Sequence, residues 1–182
     1  MVQIDIRETY SFGEYSFKNY TMLTEAEKEQ MLEWRNHETI RKNMYNTQPI
    51  PLENHLAFIE SLLSRKDRYY WMVCLNGKPV GSLNIVDVDT DKESAELGYY
   101  MAPEFFGMGS GIFFINNVLA FAFDVLKLQS LYGATNVKNR VAAYIDEYYG
   151  FERTGSKILI IDGAEVKFDE HQLTVESFNK NR

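Results

Sequence analysis

The chain has 182 residues, 45% of them hydrophobic and 14% aromatic, enough for a full core as one domain, residues 1–182, without metal or disulfide staples. Its net charge of −7 argues against a nucleic-acid substrate. The only cysteine, Cys74, cannot form an internal disulfide; with no apolar run of membrane-spanning length and no signal-peptide pattern, a cytoplasmic protein without a membrane partner is expected.

In chain order, Tyr15 to Tyr20 alternates loosely and suggests an edge strand. Thr24-Glu25-Ala26-Glu27 is a capping box, in which the Thr24 side chain caps the Glu27 N–H and Glu27 reaches back. The helix it opens carries Met31, Leu32 and Trp34 inward and ends near Asn36. Pro49 and Pro51 precede a second helix, Leu52 to Ser64, with Leu56, Ile59, Leu62 and Leu63 as its apolar stripe. Strands Tyr69–Leu75 and Lys78–Val86 flank Asn76-Gly77, a strong hairpin signal. Cys74 reads as a buried strand thiol rather than a nucleophile.

A strand from Glu93 to Met101 then leads into Gly107-Met108-Gly109-Ser110-Gly111, and a long apolar helix follows to about residue 126. Strand, glycine loop and helix together suit a phosphate-bearing ligand. Glycines let the backbone approach closely, and a helix N-terminus contributes roughly half a positive charge. No lysine follows the glycines, so this is not the ATP-type loop, and the spacing is not that of a dinucleotide fold. Taken alone, the run equally fits a tight turn. Beyond it come a strand at Leu131–Thr135, a helix from Arg140 to Tyr149 with Gly150 as its C-terminal cap, and a hairpin, Phe151–Ile161 and Glu165–Thr174, around Asp162-Gly163. This order predicts an α/β (α+β) domain with a mixed, mainly antiparallel sheet of about seven strands and about four helices.

Glu96-Leu97-Gly98-Tyr99, then Ala102-Pro103-Glu104-x-x-Gly107-x-Gly109, then Asn139-x-x-Ala142 and Gly150-Phe151, resemble in their joint order the acetyl-CoA signature of the GNAT acetyltransferases. The resemblance implies acetyl-CoA as cosubstrate, its pyrophosphate on Gly107, Met108, Gly109, Ser110, Gly111 and Ile112. It also implies that the strand Tyr99-Tyr100-Met101 supplies a backbone N–H to the thioester carbonyl, and that Asn139 lies beside the cosubstrate. Glu104 stands where the family usually has Gln or Arg, a departure that touches one phosphate contact. Leu32 to His37, Met44-Tyr45-Asn46 and His55-Leu56-x-Phe58-Ile59 resemble more narrowly the amino-sugar N-acetyltransferases of the pseudaminic acid pathway, over roughly residues 24–64. That resemblance implies a nucleotide-linked amino sugar as the small-molecule acceptor, a UDP-4-amino-4,6-dideoxy sugar in type, with Arg35, Met44, Tyr45 and His55 on its side of the cleft.

The residue types suit that role. Arg35 offers a planar fork for diphosphate, Tyr45 a ring and a hydroxyl, and His55 a donor for phosphate or carbonyl oxygen. Against this, Arg35 could cap its own helix, His55 could be exposed, and Met44 could simply pack. Nothing beside His37 or His171 suggests a metal site, and both read as surface residues. Glu96 stands where some family members place a general base. In many members a tyrosine seven residues after the position of Asn139 protonates the leaving thiolate; here that position is Asp146. Three readings stay open: Asp146 is a protonated acid, Tyr149 on the same helical face or water serves instead, or no acid is needed. Other acceptors, a polyamine or a protein N-terminus, also stay open, as do a non-catalytic CoA-binding module and the oligomeric state, a homodimer included.

Overall fold

The computed structural model describes residues 1–182. Eight strands form one sheet in the order β1-β2-β3-β4-β5-β6-β8-β7: β1 Thr9–Phe12, β2 Tyr15–Asn19, β3 Arg68–Leu75, β4 Lys78–Asp89, β5 Ser94–Met101, β6 Ser130–Asn136, β7 Glu152–Ile161 and β8 Ala164–Thr174. Neighbours are antiparallel except β5 and β6. Six α-helices accompany them: α1 Glu25–Asn36, α2 Glu38–Arg41, α3 Leu52–Ser61, α4 Gly111–Ala120, α5 Arg140–Tyr149 and α6 Val175–Asn181. The expected mixed, mainly antiparallel sheet is present, with one more strand and two more helices than the patterning suggested. No helix is long and apolar enough to cross a membrane.

Local chemistry explains most boundaries. Thr24 and Glu27 form the reciprocal capping box at the start of α1. Asn139 caps α5 by accepting from the Ala142 N–H, and Gly150 ends it in the left-handed conformation at φ +78. Asn76 and Gly77 both have positive φ at the β3–β4 turn, as do Asp162 and Gly163 at the β7–β8 turn.

The apolar run of β3 reflects helices on both faces of the sheet. Trp71 and Val73 pack with α4, through Phe114, Val118 and Phe121, in the larger core. Met72 and Cys74 pack with Met31, Trp34, Ile59 and Leu62 of α1, α3 and the turn after α3. Three details differ from the sequence expectation. β2 is interior, because β1 pairs along its outer side. α4 continues past Ala120 as a π-helical turn, Phe121–Val125. On α3, His55 takes the inward position with Ile59 and Leu62, while Leu63 is 53% exposed.

Candidate active site

β5 and β6 pair only at Ser94–Ser130, Ala95–Leu131 and Glu96–Tyr132. Beyond this the strands diverge, and the β6-facing side of β5 from Leu97 to Met101 has no strand partner. Alternate backbone N–H and C=O groups there are open to a ligand. A cavity of about 580 Å³ runs through the gap. Glu96, Gly98, Tyr99 and Tyr100 line it from β5, and Gly133, Thr135 and Asn136 from β6. Arg35, Met44, Tyr45 and His55 close one end; Ala142 and Asp146 of α5, with its cap Asn139, close the other.

The glycine loop lies at the foot of α4. Gly107 and Gly109 have φ of +77 and +73, and a β-carbon on either would meet nothing within 4 Å. Crowding at Gly109 is therefore not what requires glycine there; the left-handed backbone is. No side chain caps α4, since Ser110 makes no capping hydrogen bond. The first-turn N–H groups of Gly111 and Ile112 thus have neither an intrahelical acceptor nor a side-chain cap. Met108 is 70% exposed. An open loop, an uncapped helix start and an unpaired strand edge fit a long thioester carrying a pyrophosphate: the loop and α4 would hold the phosphates, and β5 the arm and the acyl carbonyl.

At the end lined by α1 and the loop after α2, Arg35 donates from Nη2 to the Asn46 carbonyl at 2.9 Å rather than capping its own helix. Its Nη1 is buried without a hydrogen-bond partner, and burial lowers its pKa from the ordinary arginine value. Tyr45 is 46% exposed. Its ring meets Phe168 edge-on, centroids 5.1 Å apart, and the Lys157 ammonium lies 5.3 Å from its centroid. His55 is neither exposed nor free to donate. It is buried, and its Nε2 lies 3.0 Å from the Lys28 carbonyl, so that nitrogen carries the hydrogen and Nδ1 is an acceptor in the neutral ring. Burial lowers its pKa and keeps the ring neutral, so the expected phosphate donation from His55 is replaced by an acceptor at the cavity wall.

At the other end, burial raises the pKa of Glu96, with Lys157 partly opposing. Asp146 is buried, and burial raises its pKa too. Its Oδ2 accepts from the Thr135 hydroxyl at 2.8 Å and lies 3.5 Å from His171 Nδ1. His171 is therefore not a surface residue: its side chain is 14% exposed and it lines the same cavity. Sequence reasoning missed it because it comes from β8, a strand that only the sheet order brings beside β6. Tyr149, by contrast, is not brought to the cavity. Its hydroxyl donates to the Ile112 carbonyl at 2.7 Å, its ring packs near Phe178, and burial pushes its pKa up to about 12. It ties α5 to α4.

The family model described as an acetyltransferase (GNAT) domain matches residues 20–152. The chain belongs to the GNAT acetyltransferases. An acetyltransferase PseH from Campylobacter jejuni is 32% identical over 125 residues, covering 69% of this chain and 76% of that protein. The GNAT fold recurs in the spermidine N-acetyltransferase of Vibrio cholerae with CoA and spermine, at TM-score 0.80 and 18% identity, covering 92% of this chain and 99% of that one. It recurs also in C. jejuni PseH with acetyl coenzyme A, at TM-score 0.68 and 22% identity, covering 88% and 99%. This chain is an N-acetyltransferase using acetyl-CoA, and its acceptor is a small-molecule amine.

Proposed function

We propose that the acceptor is the amine of a nucleotide-linked amino sugar, of the UDP-4-amino-4,6-dideoxy type, and that Arg35 receives its diphosphate. The observation that carries this reading is the unpartnered guanidinium. A half-buried cation with one nitrogen fully enclosed, and no carboxylate within ion-pair distance, is costly unless a ligand supplies the anion. Tyr45, backed by Phe168 and Lys157, offers a face on which a base or sugar can stack. The relationship to PseH over two thirds of the chain points the same way. Acetyl-CoA supplies the activated acetyl thioester. The chain holds its phosphates on residues 107–112 and its carbonyl against the open edge of Tyr99–Met101. Glu96 faces the incoming amine and takes its proton, directly or through water.

A polyamine acceptor is the second reading, favoured by the carboxylates Glu96 and Asp146 in the cavity, but it leaves Arg35 without an anion. An acetyl-CoA consumption screen over UDP-amino sugars, polyamines and N-terminal peptides tests both. The sugar reading expects turnover with UDP-amino sugars and little with spermidine; the reverse pattern overturns it.

A further inference from the structure

We propose that Asp146 and His171 form one proton-holding pair that protonates the departing sulfur, with His171 as a catalytic partner drawn from β8. The proposal rests on the reading that the thioester lies in the gap between β5 and β6.

Three side chains from three elements converge on the wall of that gap. Asp146 of α5, Thr135 of β6 and His171 of β8 all line the cavity. Asp146 Oδ2 accepts from the Thr135 hydroxyl at 2.8 Å and lies 3.5 Å from His171 Nδ1. That nitrogen is buried and makes no hydrogen bond; the Asp146 carboxylate is the one acidic group within ion-pair distance of it, so a small approach of the two lets them share a proton. A lone ionised aspartate would repel a thiolate. A pair holding one proton is neutral overall, whether written as carboxylic acid with imidazole or carboxylate with imidazolium, and the repulsion disappears.

The charged groups around the pair are largely taken up with partners of their own. On the face that carries His171, Arg153 of β7 is its cross-strand neighbour and binds Asp169 of β8 at 2.9 Å, so these two charges offset each other. Tyr99 of β5 is kept protonated by its burial and by the Asp146 charge, and the Tyr149 proton is held by the Ile112 carbonyl. The opposite face carries Glu96, and Lys157 near Glu170 at 3.9 Å.

In the step, the amine nitrogen bonds to the acyl carbon and its proton passes to Glu96 or water. The carbon–sulfur bond breaks, its electron pair stays on sulfur, and the pair's proton moves to sulfur to give the thiol. Solvent at the partly exposed edge of His171 restores the proton.

The test is a double-mutant cycle, Asp146→Asn and His171→Gln, on single-turnover acetyl transfer at saturating acceptor. Rates are read over about pH 6–9, with acetyl-CoA affinity measured by calorimetry for every protein. The expected result is a rate loss of about a hundred-fold for each variant and hardly more for the double variant, with a pH profile altered from that of the wild type in both single variants and acetyl-CoA affinity within about two-fold. Losses that multiply, or an effect confined to acceptor KM, overturn the proposal. Should Asp146→Asn not fold, the rate and pH profile of His171→Gln decide alone. Absence of acetyl-CoA binding by the wild type, or affinity indifferent to substitution in the glycine loop, brings down the placement of the thioester and the proposal with it.

Discussion

Asp162, at the tip of the β7–β8 hairpin, accepts a hydrogen bond from the Gln48 side chain at 2.9 Å and another from the Thr47 hydroxyl. These bonds pin the loop after α2 across the end of the cavity that Arg35 lines. The loop's other side is held by Arg41 donating to the Thr47 carbonyl at 2.8 Å and by Asn36, which both accepts from the Ile50 N–H and donates to its carbonyl. Between those ties sit Met44, Tyr45 and Asn46, all lining the cavity. The glycine loop lies elsewhere, at the foot of α4.

Asp162→Ala should therefore loosen Tyr45 without reaching the acetyl-CoA site. The bonds are exposed and screened by solvent, so the expected effect is a rise of only a few-fold in acceptor KM. Acetyl-CoA affinity and melting temperature should hardly change. Steady-state kinetics with each substrate varied in turn checks this; a matching rise in acetyl-CoA KM would show that the hairpin supports the whole sheet instead.

Gly109→Val should weaken acetyl-CoA binding while the fold survives. At φ +73 a branched side chain is strained whatever the space around it, at a cost of about 1–2 kcal/mol. The loop is outside both cores, so relief comes by rearranging the loop, which disturbs the N–H groups that would face the pyrophosphate. Calorimetry should show at least a ten-fold loss, with far-ultraviolet dichroism unchanged. Gly107→Ala, at φ +77, should behave in the same direction and more mildly.

Much of this arrangement is local in origin, and that part was legible. Thr24 with Glu27, Asn76-Gly77, Asn139 and Gly150 each satisfy neighbouring backbone groups, so a few adjacent residues sufficed to place α1, the β3–β4 hairpin and α5. The glycine run before α4 likewise marked a turn, and Gly107 and Gly109 do take the left-handed backbone there. What escaped depends on distant pairing. β1 is only four residues, Thr9–Phe12, too short to stand out by its alternation, and becomes a strand because β2 offers it an edge. β8, rather than β7, lies against β6, and nothing within the hairpin says which of its strands turns inward. His171 reaches Asp146 only through that choice. His55 read as a donor to the acceptor, with an exposed position as the alternative; neither reading could foresee the Lys28 carbonyl, on another helix, that its buried nitrogen meets.

Glu96→Gln should stabilise the protein at neutral pH while slowing transfer. Burial raises the Glu96 pKa above 4.5, so the native state holds that proton more tightly than the unfolded chain. Its contribution to stability is complete below about 4.5 and is lost as pH rises through the raised native value. Above that value the ionised group stands in a poorly solvated site, and glutamine removes the charge. Melting temperature measured against pH should therefore be higher for Glu96→Gln than for wild type near pH 7, and the gap should close on acidification. The transfer rate should fall by a factor of about 100 if Glu96 takes the amine proton directly, and by less if water intervenes. A variant that is less stable near pH 7 would mean that the Glu96 charge has a favourable partner in the native state, with Lys157 the first to examine.

Arg35 gives the sharpest separation between acceptor chemistries. Its Nη2 is already bonded to the Asn46 carbonyl, while Nη1 is enclosed and unpartnered. One part of the guanidinium thus holds the loop, and under the proposal another pairs with the diphosphate of the acceptor. Arg35→Ala removes both and should raise the KM for a UDP-amino sugar by ten-fold or more, since a hydrogen bond to a charged group contributes about 1.5–3 kcal/mol. Arg35→Lys keeps the charge but loses the planar fork, so it should recover only part of that loss. For a polyamine the sign reverses: removing a cation from the cavity should lower KM or leave it unchanged. Both variants assayed with both acceptors, alongside acetyl-CoA affinity, complete the test. A KM increase shared by the sugar nucleotide, spermidine and acetyl-CoA would show that Arg35 serves the loop alone, and that the acceptor's anion, if it has one, is bound elsewhere.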